Sequence, residues 1–183
     1  EVQILGGVGY LPETRPDRTD PKMIVGGEAS LRYGISNSVT AQIKGWKDIS
    51  HSISEVRYGF SISALTVLNG SSDFRFGIFP TAAIVLAEND IEGGGGTIPF
   101  CLWYSKFYPL SFYSAFGPVI GIRDLTNNKN EWGWGLIFNI GASMTIEDHF
   151  TFNLELAAIK QVSEYDGYKS YFLCPSLNIG YIF

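Results

Sequence analysis

The stretch Leu177-Asn178-Ile179-Gly180-Tyr181-Ile182-Phe183 decides the fold class. Alternate side chains of an extended strand point to opposite faces. One face of this stretch therefore carries only large apolar residues, namely Leu177, Ile179, Tyr181 and Phe183. The other face is small or polar, apart from Ile182. This two-sided pattern is typical of a strand that separates hydrocarbon from a polar interior.

The same stretch resembles the C-terminal assembly signal of bacterial outer-membrane β-barrel proteins. That signal ends in an aromatic residue, usually Phe, with apolar residues at alternate positions before it. The resemblance rests on Leu177, Ile179, Gly180, Tyr181 and Phe183, and it covers only this last strand. It implies a barrel that the barrel-assembly machinery inserts into the outer membrane. The partners would then be outer-membrane lipid, including lipopolysaccharide, and other envelope proteins.

The composition fits such a barrel. Of the 183 residues, 15% are aromatic and only 17% are charged, which is aromatic-rich and charge-poor for a soluble domain. No stretch approaches the roughly 20 consecutive apolar residues of a membrane-spanning helix. The net charge of −5 and the lack of a basic cluster argue against nucleic acid as a partner. We expect a single barrel domain over residues 1–183.

The alternation recurs in ten segments, each close to the roughly 9–11 residues that a tilted membrane strand needs. These segments are 2–10, 23–35, 39–47, 53–68, 74–87, 98–107, 112–123, 133–145, 150–159 and 171–183. The pattern predicts an all-β fold, a closed antiparallel transmembrane up-and-down barrel of about ten strands, with eight as the alternative. Pro80, Pro118 and Pro175 fall inside predicted strands, where they predict bulges or local breaks in pairing.

The predicted connections alternate in character. Short ones cover 36–38, 69–73, 109–111 and 146–149, whereas mostly longer and more charged ones cover 11–22, 48–52, 88–96, 124–132 and 160–170. Short turns at one end and long loops at the other are typical of an outer-membrane barrel. We therefore expect periplasmic termini and extracellular long loops. The run Gly93–Gly96 predicts a flexible surface loop.

The inward faces carry seven charged residues: Glu28, Arg32, Lys44, Glu55, Arg57, Arg75 and Glu155. Because the second, third and fourth strands are neighbours, Glu28, Lys44, Glu55 and Arg57 are predicted to form one ion-pair network. Isolated charges in a narrow lumen are costly, so opposite signs should meet. Such a network either plugs and stiffens the barrel or lines a narrow solute path or gate.

Barrel width favours the plug. A barrel of about eight strands is filled by its own side chains, whereas roughly 16–18 strands leave an open channel. We therefore expect a small non-enzymatic barrel with a largely plugged polar lumen, acting as a structural or interaction protein or as a subunit of an envelope complex. The alternative is a narrow channel or carrier for a small solute across the outer membrane.

A lipid-modifying enzyme, a lipid A or phospholipid acyl hydrolase, is a weaker alternative. Barrel deacylases need a His with a nearby Ser and Glu, and residues 51–55, His-Ser-Ile-Ser-Glu, supply those types. Along a strand, however, His51 and Ser52 point to opposite faces, and the His-x-Ser spacing of that family is absent. We expect no catalytic residues.

No metal or cofactor is expected. Cys101 and Cys174 are far apart in the sequence and have no metal-ligand spacing. An even number of cysteines permits a disulfide in an oxidising envelope, and two separate thiols are the alternative.

Overall fold

The computed structural model describes residues 1–13, 22–48, 57–71, 73–87, 90–125, 129–163 and 169–183. These residues form twelve strands of one antiparallel sheet. The strands are β1 (Val2–Glu13), β2 (Lys22–Ser36), β3 (Val39–Asp48), β4 (Arg57–Gly70), β5 (Phe74–Ile78), β6 (Thr81–Ala87), β7 (Asp90–Thr97), β8 (Phe100–Phe107), β9 (Leu110–Leu125), β10 (Lys129–Ile146), β11 (Phe150–Ser163) and β12 (Lys169–Ile182). Within the described ranges, no helix is long and apolar enough to cross a membrane.

The sheet closes because its first and last strands pair. β12 lies beside β1 from Gln3 opposite Ile182 to Gly9 opposite Ser176. β5 and β6 both pair with β4 and form one wall strand, interrupted at residues 79–80. β7 and β8 both pair with β9 and form another, interrupted at 98–99. The wall therefore has ten strands, which confirms the predicted closed antiparallel barrel rather than the eight-stranded alternative.

The large apolar side chains lie on the outside of this barrel. Ile62 is 61% exposed, Phe100 is 64% exposed and Leu154 is 62% exposed. The last strand follows the same rule, since Leu177 and Ile179 are exposed. Soluble proteins rarely expose contiguous apolar patches larger than a few hundred Å². An apolar wall on this scale fits lipid hydrocarbon, and the alternate residues face the lumen.

Several strands are longer than the alternation predicted. β9 has 16 residues and β10 has 18, more than the roughly 9–11 needed to cross a membrane. The predicted connections 124–132 and 160–170 are therefore largely strand. Strand ends that project beyond the hydrocarbon meet water on both faces, so they carry charges and resemble loops in the sequence.

The prediction of a flexible loop at Gly93–Gly96 was wrong. These residues belong to β7, where Gly94 lies opposite Ile84 of β6 and Ile122 of β9. The predicted sixth strand therefore begins at Asp90 rather than at Ile98. A glycine run has no side chains to alternate, so its pairing is determined by the neighbouring strands and is not visible as a pattern.

The three prolines singled out in the sequence behave differently from one another. Pro80 lies in the break between β5 and β6, as predicted. At Pro118, opposite Leu136, and at Pro175, opposite Leu156, the pairing on one side continues without a shift. On the other side Pro118 lies opposite the interruption at 98–99, and the pairing of β12 with β1 ends at Ser176, beside Pro175, so a local break is present there as predicted. Proline lacks only its N–H, so a pair loses one hydrogen bond while the register is kept.

The described ends of the chain lie beside the short turns. The Ile182 N–H donates to the His149 carbonyl at 2.7 Å, and the Phe183 N–H donates to the Val2 carbonyl at 2.9 Å. The His149 ring stacks on Tyr181, with the ring centroids 5.5 Å apart. At the same end Tyr108 donates to the Asp148 carboxylate, which raises the pKa of Tyr108.

Candidate functional site in the barrel lumen

The candidate site begins on β2 and β3, whose inward faces carry both signs of charge. Ser30 lies directly opposite Lys44, which makes Glu28 a diagonal neighbour of Lys44. The Lys44 Nζ pairs with the Glu28 Oε2, and the side chains are 35% and 13% exposed. The pair joins two strands that a short turn connects, so local pairing is enough to bring its members together.

Arg32 is the centre of a second set of contacts. Its Nε donates to the Gln42 Oε1 at 3.2 Å, and its Nη1 donates to the Gln3 Oε1 at 3.4 Å. The Gln3 Nε2 donates in turn to the Thr151 Oγ1 at 2.8 Å, above Gly180 of the intervening strand β12. These bonds link β3, β2, β1 and β11 along the inner surface.

On the far side of the lumen Tyr113 bonds Glu155. The Tyr113 hydroxyl donates to the Glu155 Oε2 at 2.7 Å. Gly141 of β10 lies between these two residues, and a Cβ at that position would overlap the phenol ring. Glycine at 141 therefore allows the ring to lie flat against the wall and reach the second strand along.

Electrostatic interactions connect the two sides. β2 and β9 are five strands apart in a ten-stranded wall, so Arg32 and Tyr113 start from opposite sides of the lumen. Arg32 nevertheless interacts electrostatically with Tyr113, Glu155 and Glu28. We call this set the lumen network: Gln3, Glu28, Arg32, Gln42, Lys44, Tyr113, Thr151 and Glu155. It crosses the half of the lumen next to the short turns.

The remaining predicted lumen charges lie elsewhere. Arg75 is exposed near the short-turn rim, opposite Trp103, and makes no ion pair with a described residue. Glu55 lies outside the described residues, and His51 does too. Arg57 pairs with Ala87 at the start of β4. The predicted four-residue network is thus described only at Glu28 and Lys44.

Uncharged members of the lumen network were the ones that sequence reasoning missed. The sequence did not predict that Gln42 bonds Arg32 or that Tyr113 bonds Glu155. The sequence also did not predict the hydrogen bond between Gln3 and Thr151. The signal that was available is a glycine on the strand between two polar residues, Gly141 in one case and Gly180 in the other.

The other half of the lumen is lined by small residues on β6 to β10. Inward positions there include Ala83, Gly95, Gly117, Gly121 and Gly135. Within the described ranges, no cluster of His, Cys, Asp and Glu is placed to hold a metal ion. We call this the glycine-lined side of the lumen and define it by those five residues.

The two cysteines and Asn139 share one row of inward residues. The row crosses five neighbouring strands, and each of its residues pairs with the next: Cys101, Ala115, Asn139, Ala157 and Cys174. Three strands separate the two thiols, and both are buried and free. The Asn139 Oδ1 is also buried and has no hydrogen-bond partner among the described residues.

No protein-family model and no curated protein sequence matches the chain. Among solved structures, the KdgM porin in complex with disordered oligogalacturonate is 12% identical with a TM-score of 0.54, covering 98% of this chain and 99% of that chain. A bacterial polysaccharide outer membrane secretin is 14% identical with a TM-score of 0.51, covering 88% of this chain. The match spans only 57% of the secretin chain.

The outer membrane protease OmpT from Escherichia coli is 7% identical with a TM-score of 0.48, covering 98% of this chain and 92% of that chain. Identities this low concern the fold alone. The closed ring of ten strands, the exposed apolar wall and the polar lumen agree with the fold of the KdgM porin. The chain is a barrel with the fold of the bacterial outer-membrane β-barrel proteins.

Proposed function

We propose that this protein is a non-enzymatic barrel of a bacterial outer membrane whose lumen is closed by the lumen network. The observation that carries the proposal is the electrostatic interaction, across the lumen, of Arg32 on β2 with the hydrogen-bonded pair of Tyr113 and Glu155. Its role is then structural or interactive, alone or as a subunit of an envelope complex. The termini face the periplasm and the longer connections face outward.

The charge balance of the network supports a plug. Two cations, Arg32 and Lys44, are matched by two anions, Glu28 and Glu155, so the lumen network as described has no net charge of one sign to draw an ion through. Charged groups in a narrow, poorly hydrated space are stable only when they are paired and hydrogen-bonded. Displacing them to admit a solute would break several bonds together.

The outer surface supports a membrane location. Its exposed apolar side chains are matched by outer-membrane lipid, including lipopolysaccharide, and insertion of such a wall requires the barrel-assembly machinery. Partners in the envelope would then meet the connections rather than the wall. An affinity pull-down from native outer membranes in mild detergent separates a solitary barrel from a subunit of a complex.

A single-channel measurement in planar bilayers tests the plug. We expect no regular conductance steps from the natural protein. The variant Arg32→Ala/Tyr113→Ala/Glu155→Ala should produce steps, because it removes side chains from both walls. Arg75→Ala is the matched control, since it removes a charge from the rim and leaves the lumen network intact.

The second candidate is a narrow channel or carrier for a small solute. Its support is the fold likeness to the KdgM porin, which extends over 99% of that chain. This candidate predicts steps from the natural protein that change in size on Lys44→Gln or Arg32→Gln. Such steps from the natural protein would reject the plug. If the natural protein gives no conductance steps and the triple variant gives them, the channel is rejected.

The non-enzymatic part of the proposal has its own test. Glu28 and Glu155 are held by Lys44 and Tyr113, which leaves neither carboxylate as a free base. Lipid A and phospholipids from cells that express the protein should keep all their acyl chains. Loss of acyl chains that His51→Ala abolishes would instead establish an acyl hydrolase.

A further inference from the structure

Three prolines lie at one level on three neighbouring wall strands. Pro80 interrupts the wall strand of β5 and β6, Pro99 interrupts that of β7 and β8, and Pro118 lies in β9. The pairs that flank them are Thr81 opposite Thr97 on one side and Ile78 opposite Phe100 on the other. We call this line of Pro80, Pro99 and Pro118 the proline seam.

Each proline weakens a different strand interface. The Ala64 N–H donates to the Pro80 carbonyl at 3.1 Å, and the Phe79 N–H donates to the Pro99 carbonyl at 3.0 Å. The N–H and C=O of a residue in an antiparallel pair face the same neighbour, and proline has no N–H to return the bond. One ladder bond is therefore missing between β4 and β6 and another between the next two wall strands.

The third interface relies on a side chain. The Pro118 carbonyl accepts from the Thr97 Oγ1 at 2.7 Å, so a hydroxyl of β7 takes the place of a backbone donor. Similarly the Thr81 Oγ1 donates to the Phe79 carbonyl at 3.3 Å, which Pro99 leaves without its usual partner. A side-chain hydroxyl bond breaks without separating the backbone ladder, so less free energy is needed to open the wall along the seam than along a fully paired stretch.

Both faces of the seam are apolar. The inward row at this level continues from Phe79 through Pro99 and Gly117 to Ile137, next to the glycine-lined side of the lumen. On the outside Ile98 is 54% exposed and Leu136 is 40% exposed. The lumen network, by contrast, lies on β1 to β3, β9 and β11 nearer the short turns. Among the described residues, the part of the wall around the seam is therefore apolar on its lumen face and on its outer face.

A recess adjoins the seam on the outer wall. Its volume is about 330 Å³, and its lining includes Phe76, Phe100, Leu102, Ser114, Phe116 and Phe138. Phe100 directly follows Pro99, and Phe116 precedes Pro118 by two positions. A molecule that passed through the seam would thus enter a cavity bounded by aromatic rings before it reached bulk hydrocarbon.

We propose that the proline seam is a lateral passage for small, uncharged, apolar molecules between the glycine-lined side of the lumen and the bilayer. The molecule enters from the end opposite the short turns, crosses the wall where backbone bonds are missing and leaves through the recess. It does not pass the lumen network, so the passage operates whether or not the barrel conducts ions. No covalent chemistry is involved.

Uptake of N-phenyl-1-naphthylamine, an uncharged apolar dye that fluoresces in membranes, tests the passage in intact cells producing the full chain. Cells with the natural protein should take up the dye faster than cells without it. Pro80→Ala/Pro99→Ala/Pro118→Ala restores three donors, and each restored bond should lower the open population about fivefold. Pro175→Ala is the matched control, since Pro175 lies in the wall away from the seam.

Uptake by the triple variant equal to that of the natural protein would overturn the proposal, as would natural uptake no faster than that of empty cells. A cross-link provides the second test if the triple variant does not insert. In a Cys101→Ser/Cys174→Ser background, Thr97→Cys/Val119→Cys places two thiols opposite each other across the seam. Oxidation should stop the uptake and reduction should restore it.

The control cross-link is Ser143→Cys/Asn153→Cys, an inward pair of β10 and β11 away from the seam. Its oxidation should leave dye uptake unchanged. Equal inhibition by both cross-links, or inhibition by neither, would reject a passage at this place in the wall. Ion conductance measured on the same variants reports on the lumen network separately, so the two proposals fail independently.

Discussion

Tyr113 and Gly141 lie opposite each other on β9 and β10, and the phenol ring covers the place where a side chain at position 141 would begin. The absence of that side chain lets the Tyr113 hydroxyl reach Glu155 at 2.7 Å, two strands from its own. A polar bond between non-adjacent strands thus depends on a residue that takes no part in it.

Gly141→Ala should therefore destabilise the barrel by about 1–3 kcal/mol, because the new methyl group displaces the Tyr113 ring in a packed interior. Urea unfolding in detergent micelles, followed by tryptophan fluorescence, measures the loss. Gly6→Ala is the matched control, since the nearest atom to its added carbon is the Glu28 carbonyl oxygen at 3.9 Å. Equal unfolding free energies for the two variants would contradict this packing.

The Lys44 and Glu28 pair should show measurable coupling. Lys44→Met leaves Glu28 without its cation, and we expect a loss of about 1–3 kcal/mol, between the values for exposed and buried pairs. Glu28→Gln together with Lys44→Met should cost less than the sum of the single changes. A double-mutant cycle of unfolding free energies gives the coupling, and strictly additive losses would show that the pair contributes nothing.

Tyr108 should titrate at unusually high pH. Its hydrogen bond to the Asp148 carboxylate raises its pKa above the ordinary value of 10.0. Because the folded-state pKa is raised, the stabilisation is complete below the pKa of the unfolded chain and is lost as the pH rises through the folded-state pKa. Phenolate absorbance, taken as the difference from Tyr108→Phe, reports the midpoint.

Asp148→Asn should lower that midpoint toward the ordinary tyrosine value, since an amide accepts the phenol proton less strongly than a carboxylate. Both residues lie in turns at the same end of the barrel, so the change leaves the wall untouched. Identical midpoints with and without the carboxylate would show that the two turns do not interact in solution.

Asn139→Ala should be neutral or should stabilise the barrel by about 1 kcal/mol, because it removes a buried acceptor that has no partner among the described residues. Gln42→Ala makes the comparison, since Gln42 is 8% exposed and accepts from Arg32. Its loss should destabilise the barrel. A larger loss at Asn139 than at Gln42 would mean that the Asn139 oxygen is satisfied in solution.

The face of a residue could be predicted from the sequence, because neighbours such as Asn153 and Leu154 point to opposite faces all along a strand. The pairing of Glu28 with Lys44 could also be predicted, since a short turn joins their strands. The electrostatic interaction of Arg32 with Tyr113 could not be predicted. It depends on how far the wall is staggered when the sheet closes, and that stagger is set by the whole ring rather than by any segment.

At Gly93–Gly96 neither surface of the sheet carries side chains, while Ile84 and Ile122 stand on either side. At these positions only the peptide backbone of one sheet separates the hydrocarbon of the bilayer from the interior of the barrel. A side chain added at any one of these four positions would thicken the barrier on one face only, the lumen side at Gly93 and Gly95 and the lipid side at Gly94 and Gly96.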